Sequence, residues 1–538
     1  MHNRHSRWDC DYPVHPGTTI FWLSITLSDS FLLNHIYIIM SYHIHFLKIM
    51  SKKVIIIGSG FGGLSSAALL AKAGYEVTVL EKNKTPGGRA MQFSEKGFIF
   101  DMGPSWYMMP EVFERYFAHF SKTPSSFYKL VHLNPHYRIF FSKDDVLDML
   151  PNKEKNFEAF EKIEPGSVEK ITQYLEKSKE LYEIAMKYFV YKNYDSVFDM
   201  FDMKFAGVAT KMPVFSTMNS YISKYVTDDR LKKILLYTTV FIGGVPDNTP
   251  ALYTLMSHID FNVGVFYPMG GMFSIVQALV DLCNEQKVTI KLGTAVDKIN
   301  VKAGKAVSVT ACGKEYEADI ILSNADMPHT EMALLDEQYQ TYTKKYWEKK
   351  TIAPSAFILY LGVKGKIKNL QHHTLFFTYD WEKHFADMYR KPEWPDEPSM
   401  YICCPSKTDQ SVAPKGDENL FVLVPIAPGL PDTPEIRTRY ETKIIDILEE
   451  TLGESIQDRL VVKKSLSIND YKSLYNAYQG TALGLAPNFF QTAFFRPNNF
   501  SKKVKNLYYV GQDTVPGVGV PMALISAELA VERVKNAE

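Results

Sequence analysis

"KKVIIIGSGFGGLSSAALLAKAGYEVTVLEKN" spans residues 52–83. Val54 to Ile57 is an unbroken β-branched run, the pattern of a strand covered on both faces. Gly58, Gly60 and Gly63 follow as G-x-G-x-x-G. The first glycine permits a tight turn, the second lets backbone approach a pyrophosphate, and the third lets the helix pack closely on the strand. The helix N-terminus directs free N–H groups and its dipole at phosphate. Val77, Val79 and Leu80 form a second strand that ends at Glu81. That carboxylate stands where it can accept hydrogen bonds from ribose hydroxyls. Its charge repels a 2′-phosphate, which disfavours NADP. Strand, turn, helix, strand and acid are in register, so this stretch predicts dinucleotide binding.

The residues that follow favour FAD over NAD. Pro86-Gly87-Gly88-Arg89 adds two more glycines, including Gly88, and a fixed cation able to pair with phosphate. Near the C-terminus, Leu507 to Val510 reads as a strand, followed by Gly511-Gln512-Asp513. Pro516 to Pro521 is a glycine-rich turn that opens a helix, Met522 to Val534. This is a second half-site. Asp513 is placed to hold a ribityl chain, and the helix start at Met522 to face a flavin ring.

This arrangement resembles the flavin amine oxidase and phytoene desaturase superfamily. The resemblance implies that Val296, within Gly293 to Ile299, contacts adenine through its backbone. It also implies that Ala318 to Ala325 is the strand returning to the FAD domain. The stretches Phe98 to Tyr107, Met109 to Phe117, Tyr267 to Met272, Cys404 to Asp409 and Thr514 to Ser526 narrow the likeness to bacterial phytoene desaturases. It covers residues 51–538. One departure is the C-terminal turn, Val-Pro-Gly-Val-Gly-Val-Pro at 515–521, where relatives often carry three successive glycines. The implied reaction is stepwise removal of two hydrogens from CH2–CH2 units of a C40 carotene, phytoene towards lycopene, with FAD as cofactor. The implied partners are the carotenoid, a membrane surface that delivers it, and oxygen or a quinone as electron acceptor. The cofactor carries the hard chemistry, and no catalytic dyad is evident. His258, His329, His372 and His373 are candidate proton acceptors, with a satisfied structural role preferred for each. Asp247 and Asp260 fall in the expected substrate region and are not favoured for a direct role.

Composition agrees with a globular enzyme of more than one lobe. The chain has 538 residues, 46% hydrophobic and 22% charged, with zero formal net charge. That balance argues against nucleic acid as a partner. Five cysteines without a metal pattern suit a reduced cytoplasmic protein, and the insoluble substrate that the resemblance implies would hold it peripherally at the inner face of the membrane. Residues 1–50 read as an extension outside the native fold, with Met50 as the natural start. Phe21 to Met40 is too interrupted by polar residues to span a bilayer.

The expected fold is α/β: a Rossmann-like FAD-binding domain from 51–150, 285–335 and 480–538, a helical substrate and membrane lobe at 151–284, and a mixed-sheet substrate domain at 336–479. Around Phe205 to Thr210, between Lys204 and Lys211, the lobe carries a basic apolar stretch suited to a membrane surface. The face Met109, Val112, Phe113, Tyr116, Phe117 and Phe120 repeats at helical spacing and reads as core or as a wall of a substrate channel. The alternatives are another carotenoid desaturase, a carotene isomerase, an amine oxidase, or a non-catalytic isoprenoid-binding protein.

Overall fold

Val54, Ile55, Ile56 and Ile57 sit at the centre of a five-stranded parallel sheet. A computed structural model describes residues 51–194, 213, 215–377 and 380–537. Residues 1–50 and the Lys204–Lys211 stretch lie outside the described residues. The sheet strands are β1 (Lys53–Ile57), β2 (Glu76–Leu80), β3 (Thr289–Lys291), β4 (Ile320–Ser323) and β5 (Leu507–Tyr509), ordered β5-β4-β1-β2-β3. Val54 pairs with Ile320 and Val77, and Ile321 with Leu507. Strands distant in sequence are therefore neighbours, and their C-terminal ends bring Gly58, Glu81, Asn324 and Gly511 to one edge.

Helix α1 (Phe61–Lys72) is buried along its first ten residues. It packs against the helix Phe273–Glu285 and against α2 (Val520–Asn536). Small residues all round it, Gly62, Gly63, Ser65, Ser66, Ala67 and Ala68, make that double contact possible. A Cβ on Gly63 would lie 2.1 Å from the carbonyl oxygen of Gly58, so only glycine lets the helix sit this close to the turn.

A seven-stranded sheet forms a second layer, in the order 460–466, 355–363, 418–426, 400–403, 373–376, 137–140, 146–149. All its pairs are antiparallel except 373–376 with 137–140. Strands 137–140 and 146–149 come from the stretch expected in the first FAD segment, but their ladders join them to this sheet. Alternation along Ser355–Val363 divides its labour. Phe357, Leu359, Leu361 and Val363 pack in one cluster with Ile444, Ile445 and Leu448 of the helix Pro434–Leu452. Ala356 and Ile358 line a large cavity on the other face. Each such buried aliphatic side chain contributes about 1.5–3 kcal/mol to stability.

Three stretches singled out in the sequence lock together. Asp101 Oδ2 accepts from Met272 N at 2.7 Å, and Asp409 Oδ2 accepts from Gly270 N at 2.7 Å. Their role is to fix the start of the helix Phe273–Glu285. The face Val112, Phe113, Tyr116, Phe117 and Phe120 on and after the helix Pro110–Ala118 is buried core. Of that repeat only Met109 reaches the cavity. Cys283, Cys403 and Cys404 are buried and Cys312 is exposed, all four as free thiols.

Candidate functional site

A cavity of about 950 Å³ opens where the parallel sheet meets the second layer. Its polar half is built on the β1 turn. Gly58 takes φ +93°, so the chain reverses tightly between strand and helix. The Pro86–Arg89 turn lies directly on this loop. Gly87 N donates to Ser59 O at 2.9 Å, and a Cβ on Gly88 would stand 3.3 Å from Gly60 Cα. Glu81 fixes both ends. Its Oε2 accepts from Ser59 N and Ser59 Oγ, each at 2.8 Å, and its Oε1 accepts from Asn83 N at 2.8 Å. Thr294 N donates to Glu81 O at 2.7 Å, which carries the segment with Val296 to the same rim.

Two buried carboxyls and two arginines face this loop. Asp326 caps the helix Met327–Ala333, and Asp513 Oδ2 accepts from Met327 N at 3.3 Å. Burial, then the neighbouring Asp513 charge, pushes the Asp326 carboxyl up to about 8, while Arg89 opposes the rise. Burial likewise raises Asp513, against the pull of Arg89 and Arg496. Arg89 stands 5.5 Å from the ring of Tyr475, and its Nε is buried without a partner. With its amide turned to suit its neighbours, Gln512 accepts from Arg89 Nη2 at 3.0 Å. Arg496 is 4% exposed and donates to the carbonyls of Gln491, Gln512 and Thr514. It holds the turn that leads into α2. A Cβ on Gly484 would lie 2.1 Å from Asp513 Oδ1, so that carboxyl has a slot only glycine leaves open.

The other half of the cavity is apolar. Met108, Met109, Leu252, Leu375, Phe377 and Leu423 line it, and Trp106, Tyr237, Phe241 and Tyr401 form one aromatic wall. From Trp106 the centroid distances are 5.0 Å to Phe241, 5.7 Å to Tyr401 and 6.4 Å to Tyr237. Trp106 also stacks on His373 at 4.3 Å.

Of the residues assigned from sequence, Gly58, Gly60, Glu81, Gly88, Arg89, Val296, Gly511, Asp513 and Met522 all border this one cavity. Gly63 does not border it; it supports the loop from beneath. Among the four histidines only His329 borders the cavity, with Nε2 joined to Asn476 Nδ2 at 3.0 Å. His258 Nδ1 pairs with Asn262 Nδ2, His372 Nδ1 with Thr408 Oγ1 and His373 Nδ1 with Tyr401 Oη. Asp247 is exposed and bonded to Asn219. Sequence reading missed Asp326, Gly484 and Arg496, and it quoted Asn324 and Gln512 within its motifs without giving either a role. Asn324 and Asp326 lie just after β4, the position at which a parallel strand delivers ligand contacts, and that signal was available.

The residues present fit FAD. Glycine backbone lies open along the loop, the orphaned Arg89 Nε awaits an acceptor, and a carboxylate stands at the end of β2. The sequence profile of the flavin-containing amine oxidoreductases matches residues 61–535, and the chain belongs to that family. It is an FAD-dependent oxidoreductase of the carotenoid desaturase branch. It is 46% identical to a carotenoid 3,4-desaturase of Haloarcula japonica, over 89% of this chain and 97% of that protein. It is 32% identical to a zeta-carotene-forming phytoene desaturase of Myxococcus xanthus, over 90% and 93% of the two chains. An oxidoreductase from Methanosarcina mazei superposes with TM-score 0.60 at 18% identity, covering 90% of this chain and all of that one. Putrescine oxidase bound to putrescine gives 0.59 at 12%, covering 90% and 99%. At such identities the two structures establish the fold alone.

Proposed function

We propose that the chain dehydrogenates a CH2–CH2 unit of a carotenoid, at the 3,4 position. The observation that carries this reading is the union of the two halves: one cavity joins the glycine- and arginine-lined loop to an aliphatic and aromatic chamber. The 46% identity to the 3,4-desaturase supports that position. A second reading, phytoene taken towards lycopene, is favoured by the phytoene desaturase relative and by the motifs from Trp106 to Phe117.

In this proposal Gly58, Gly60, Gly88 and Arg89 hold the pyrophosphate of FAD, Glu81 a ribose, Val296 the adenine, and Gly511 and Asp513 the ribityl chain. Gly63 keeps α1 against the loop, and the α2 start at Met522 faces the ring. FAD, when bound, supplies the two-electron oxidation, with oxygen or a quinone as the final acceptor. The apolar chamber orients the polyene and excludes water.

Expression of residues 50–538 in bacteria that accumulate lycopene, and separately phytoene, tests both readings. A pigment absorbing at longer wavelength than lycopene is expected in the first strain. Coloured product in the phytoene strain supports the second reading instead. Unchanged pigments in both, from protein that holds FAD, overturn both.

The substrate's insolubility places this reaction at a lipid surface. No helix among the described residues is long and apolar enough to cross a membrane. Phe215, Phe490 and Phe495 are 96%, 77% and 45% exposed. The last two pair with centroids 6.3 Å apart. Ala251 N donates to Ser216 O at 2.8 Å, and Tyr253 Oη meets Thr492 Oγ1 at 3.4 Å. These contacts hold Ser216, next to Phe215, and Thr492, two residues after Phe490, against the segment that carries the cavity-lining Tyr253. Phe215→Asp with Phe490→Asp is therefore expected to cut co-sedimentation with phospholipid vesicles at least tenfold while FAD content is unchanged. Wild-type sedimentation of the double variant would refute this rim as the membrane contact.

A further inference from the structure

Behind Trp106, two histidines and a cysteine meet in the interior of the second layer. Strand 373–376 pairs antiparallel with strand 400–403, and His373 stands directly opposite Cys403. Residues opposite one another carry their side chains on the same face. Cys404 N donates to His372 O at 2.7 Å and fixes that register. His372 precedes the strand, so strand alternation does not bind it, and its ring lies 4.5 Å from that of His373. One ring nitrogen of each histidine and the Cys403 sulfur lie within 4.8 Å of one another. His372, His373 and Cys403 are 4%, 0% and 4% exposed.

Each ring is anchored by one nitrogen and leaves the other bare. His372 Nδ1 bonds Thr408 Oγ1 at 2.7 Å, and His373 Nδ1 bonds Tyr401 Oη at 2.7 Å. Nε2 of both rings is buried without a hydrogen-bond partner. Buried polar atoms are normally paired, so two bare nitrogens beside one thiol need an account that hydrogen bonding does not give. An Nδ1–H donated to a hydroxyl leaves Nε2 with its lone pair, the arrangement in which histidine binds a metal. Burial brings His372 down to about 3 and holds His373 well below its ordinary value, so both lone pairs are present at neutral pH. A cavity of about 20 Å³ adjoins Cys403, bordered also by Ser105, Asp101 and Tyr267. That space takes one water. Trp106 stacks on His373 at 4.3 Å and Tyr267 meets the His372 ring at 4.6 Å, which closes the cluster to bulk solvent.

We propose that His372 Nε2, His373 Nε2 and the Cys403 thiolate hold one Zn2+ ion, with a water from the adjoining cavity as the fourth ligand. Two imidazoles, a thiolate and an oxygen suit zinc, which takes nitrogen and sulfur ligands in a tetrahedral array. Ligand atoms around such an ion stand roughly 3.5 Å apart, so the widest pair closes by about 1 Å on binding. The Cys403 thiol gives its proton to solvent as the S–Zn bond forms, and no electron is transferred. The thiolate offsets one of the two charges of the ion. The other is met by Asp101, which borders the same small cavity, and by Asp409, which accepts from Tyr267 Oη at 3.4 Å beside His372. The ion ties strand 373–376 to strand 400–403 and pins the ring on which Trp106 stacks, so it stiffens the wall of the apolar chamber. The ligands come from different strands, which is why no local metal motif marks them.

The test uses the full FAD-loaded chain without a histidine tag, as wild type, Cys403→Ser and Thr408→Val, each equilibrated with Zn2+ and dialysed. Metal analysis by mass spectrometry is expected to find one zinc more per chain in wild type than in Cys403→Ser. Histidines elsewhere on the chain bind alike in both and cancel in that difference. Thr408→Val keeps all three ligands and removes only the anchor of His372 Nδ1, so zinc affinity should fall about 10–100-fold. Wild type loaded with Co2+ should show a thiolate-to-cobalt charge-transfer band that Cys403→Ser lacks. Equal zinc in wild type and Cys403→Ser marks an adventitious ion only and overturns the proposal, as does absence of the cobalt band from wild type. Should Cys403→Ser fail to fold, X-ray absorption of zinc-loaded wild type decides. One sulfur at about 2.3 Å and nitrogens at about 2.0 Å are expected, and a shell of oxygen alone overturns the site. None of these readouts depends on which carotenoid is converted.

Discussion

Gly63→Ala is expected to yield protein without FAD. The added Cβ would lie 2.1 Å from the carbonyl oxygen of Gly58 and 3.2 Å from Asn324 Cβ. The first neighbour is backbone in the turn itself, so no side-chain rotation relieves the overlap. Either α1 shifts off the sheet or the turn opens, and both changes spoil the loop over which Gly60 and Gly88 meet. A loss of at least about 3 kcal/mol in stability is expected, in the range of severe packing defects. Flavin retained per chain should fall more than tenfold. Gly74→Ala is the control. It too takes positive φ, +98°, but nothing lies within 4 Å of its added Cβ. Its cost should be about 1–2 kcal/mol of backbone strain alone, with FAD retained. The flavin-to-protein absorbance ratio of the two purified variants separates packing from strain. Equal flavin in both would refute the close helix approach as the basis of the site.

Arg496→Met is expected to be nearly as damaging, although nothing in the sequence marks that arginine. Its guanidinium is the donor for three carbonyls, those of Gln491, Gln512 and Thr514. Methionine fills similar volume and donates nothing. Three buried carbonyls lose a partner, and Asp513 loses one of the two cations that favour its charge. Removing one member of a buried charged network costs about 3–5 kcal/mol. The turn from Gln512 to Gly519 then loses its ties to Arg496 at the carbonyls of Gln512 and Thr514, so FAD affinity is expected to drop at least 100-fold. Arg496→Lys keeps the charge but not the planar fork, and should fall between the two. Titration of stripped protein with FAD, followed by flavin fluorescence, measures this. Wild-type affinity in Arg496→Met would remove the arginine from the account of the site.

The first strand–turn–helix unit was legible because its parts are local. A β-branched run, a glycine turn and a helix of small residues occupy adjacent residues, and a parallel strand following such a unit has one strongly favoured hand. The position of Glu81 is therefore a consequence of chain length and chirality. The second unit was legible for the same reason, as another strand, turn and helix. Of the two readings of the helix Pro110–Ala118, the preferred one, core, holds, and the channel-wall alternative does not. Helical periodicity marks a buried face and cannot say whether protein or ligand covers it, and here Phe113, Tyr116 and Phe117 are covered by protein.

Sequence by itself determined the glycine turn after β1, the acid at the end of β2, the two strand–turn–helix units and the branch of the family. Only the tertiary structure decided what faces them. Tyr137 meets Asp260 across 123 residues, and Met327 meets Asp513 across 186. Gly484 makes room for Asp513, and Arg496 reaches the turn behind it. Local patterns arise from the periods of helix and strand, which repeat over a few residues. Buried polar partners are chosen by which strands and helices come together, and no local period encodes that choice.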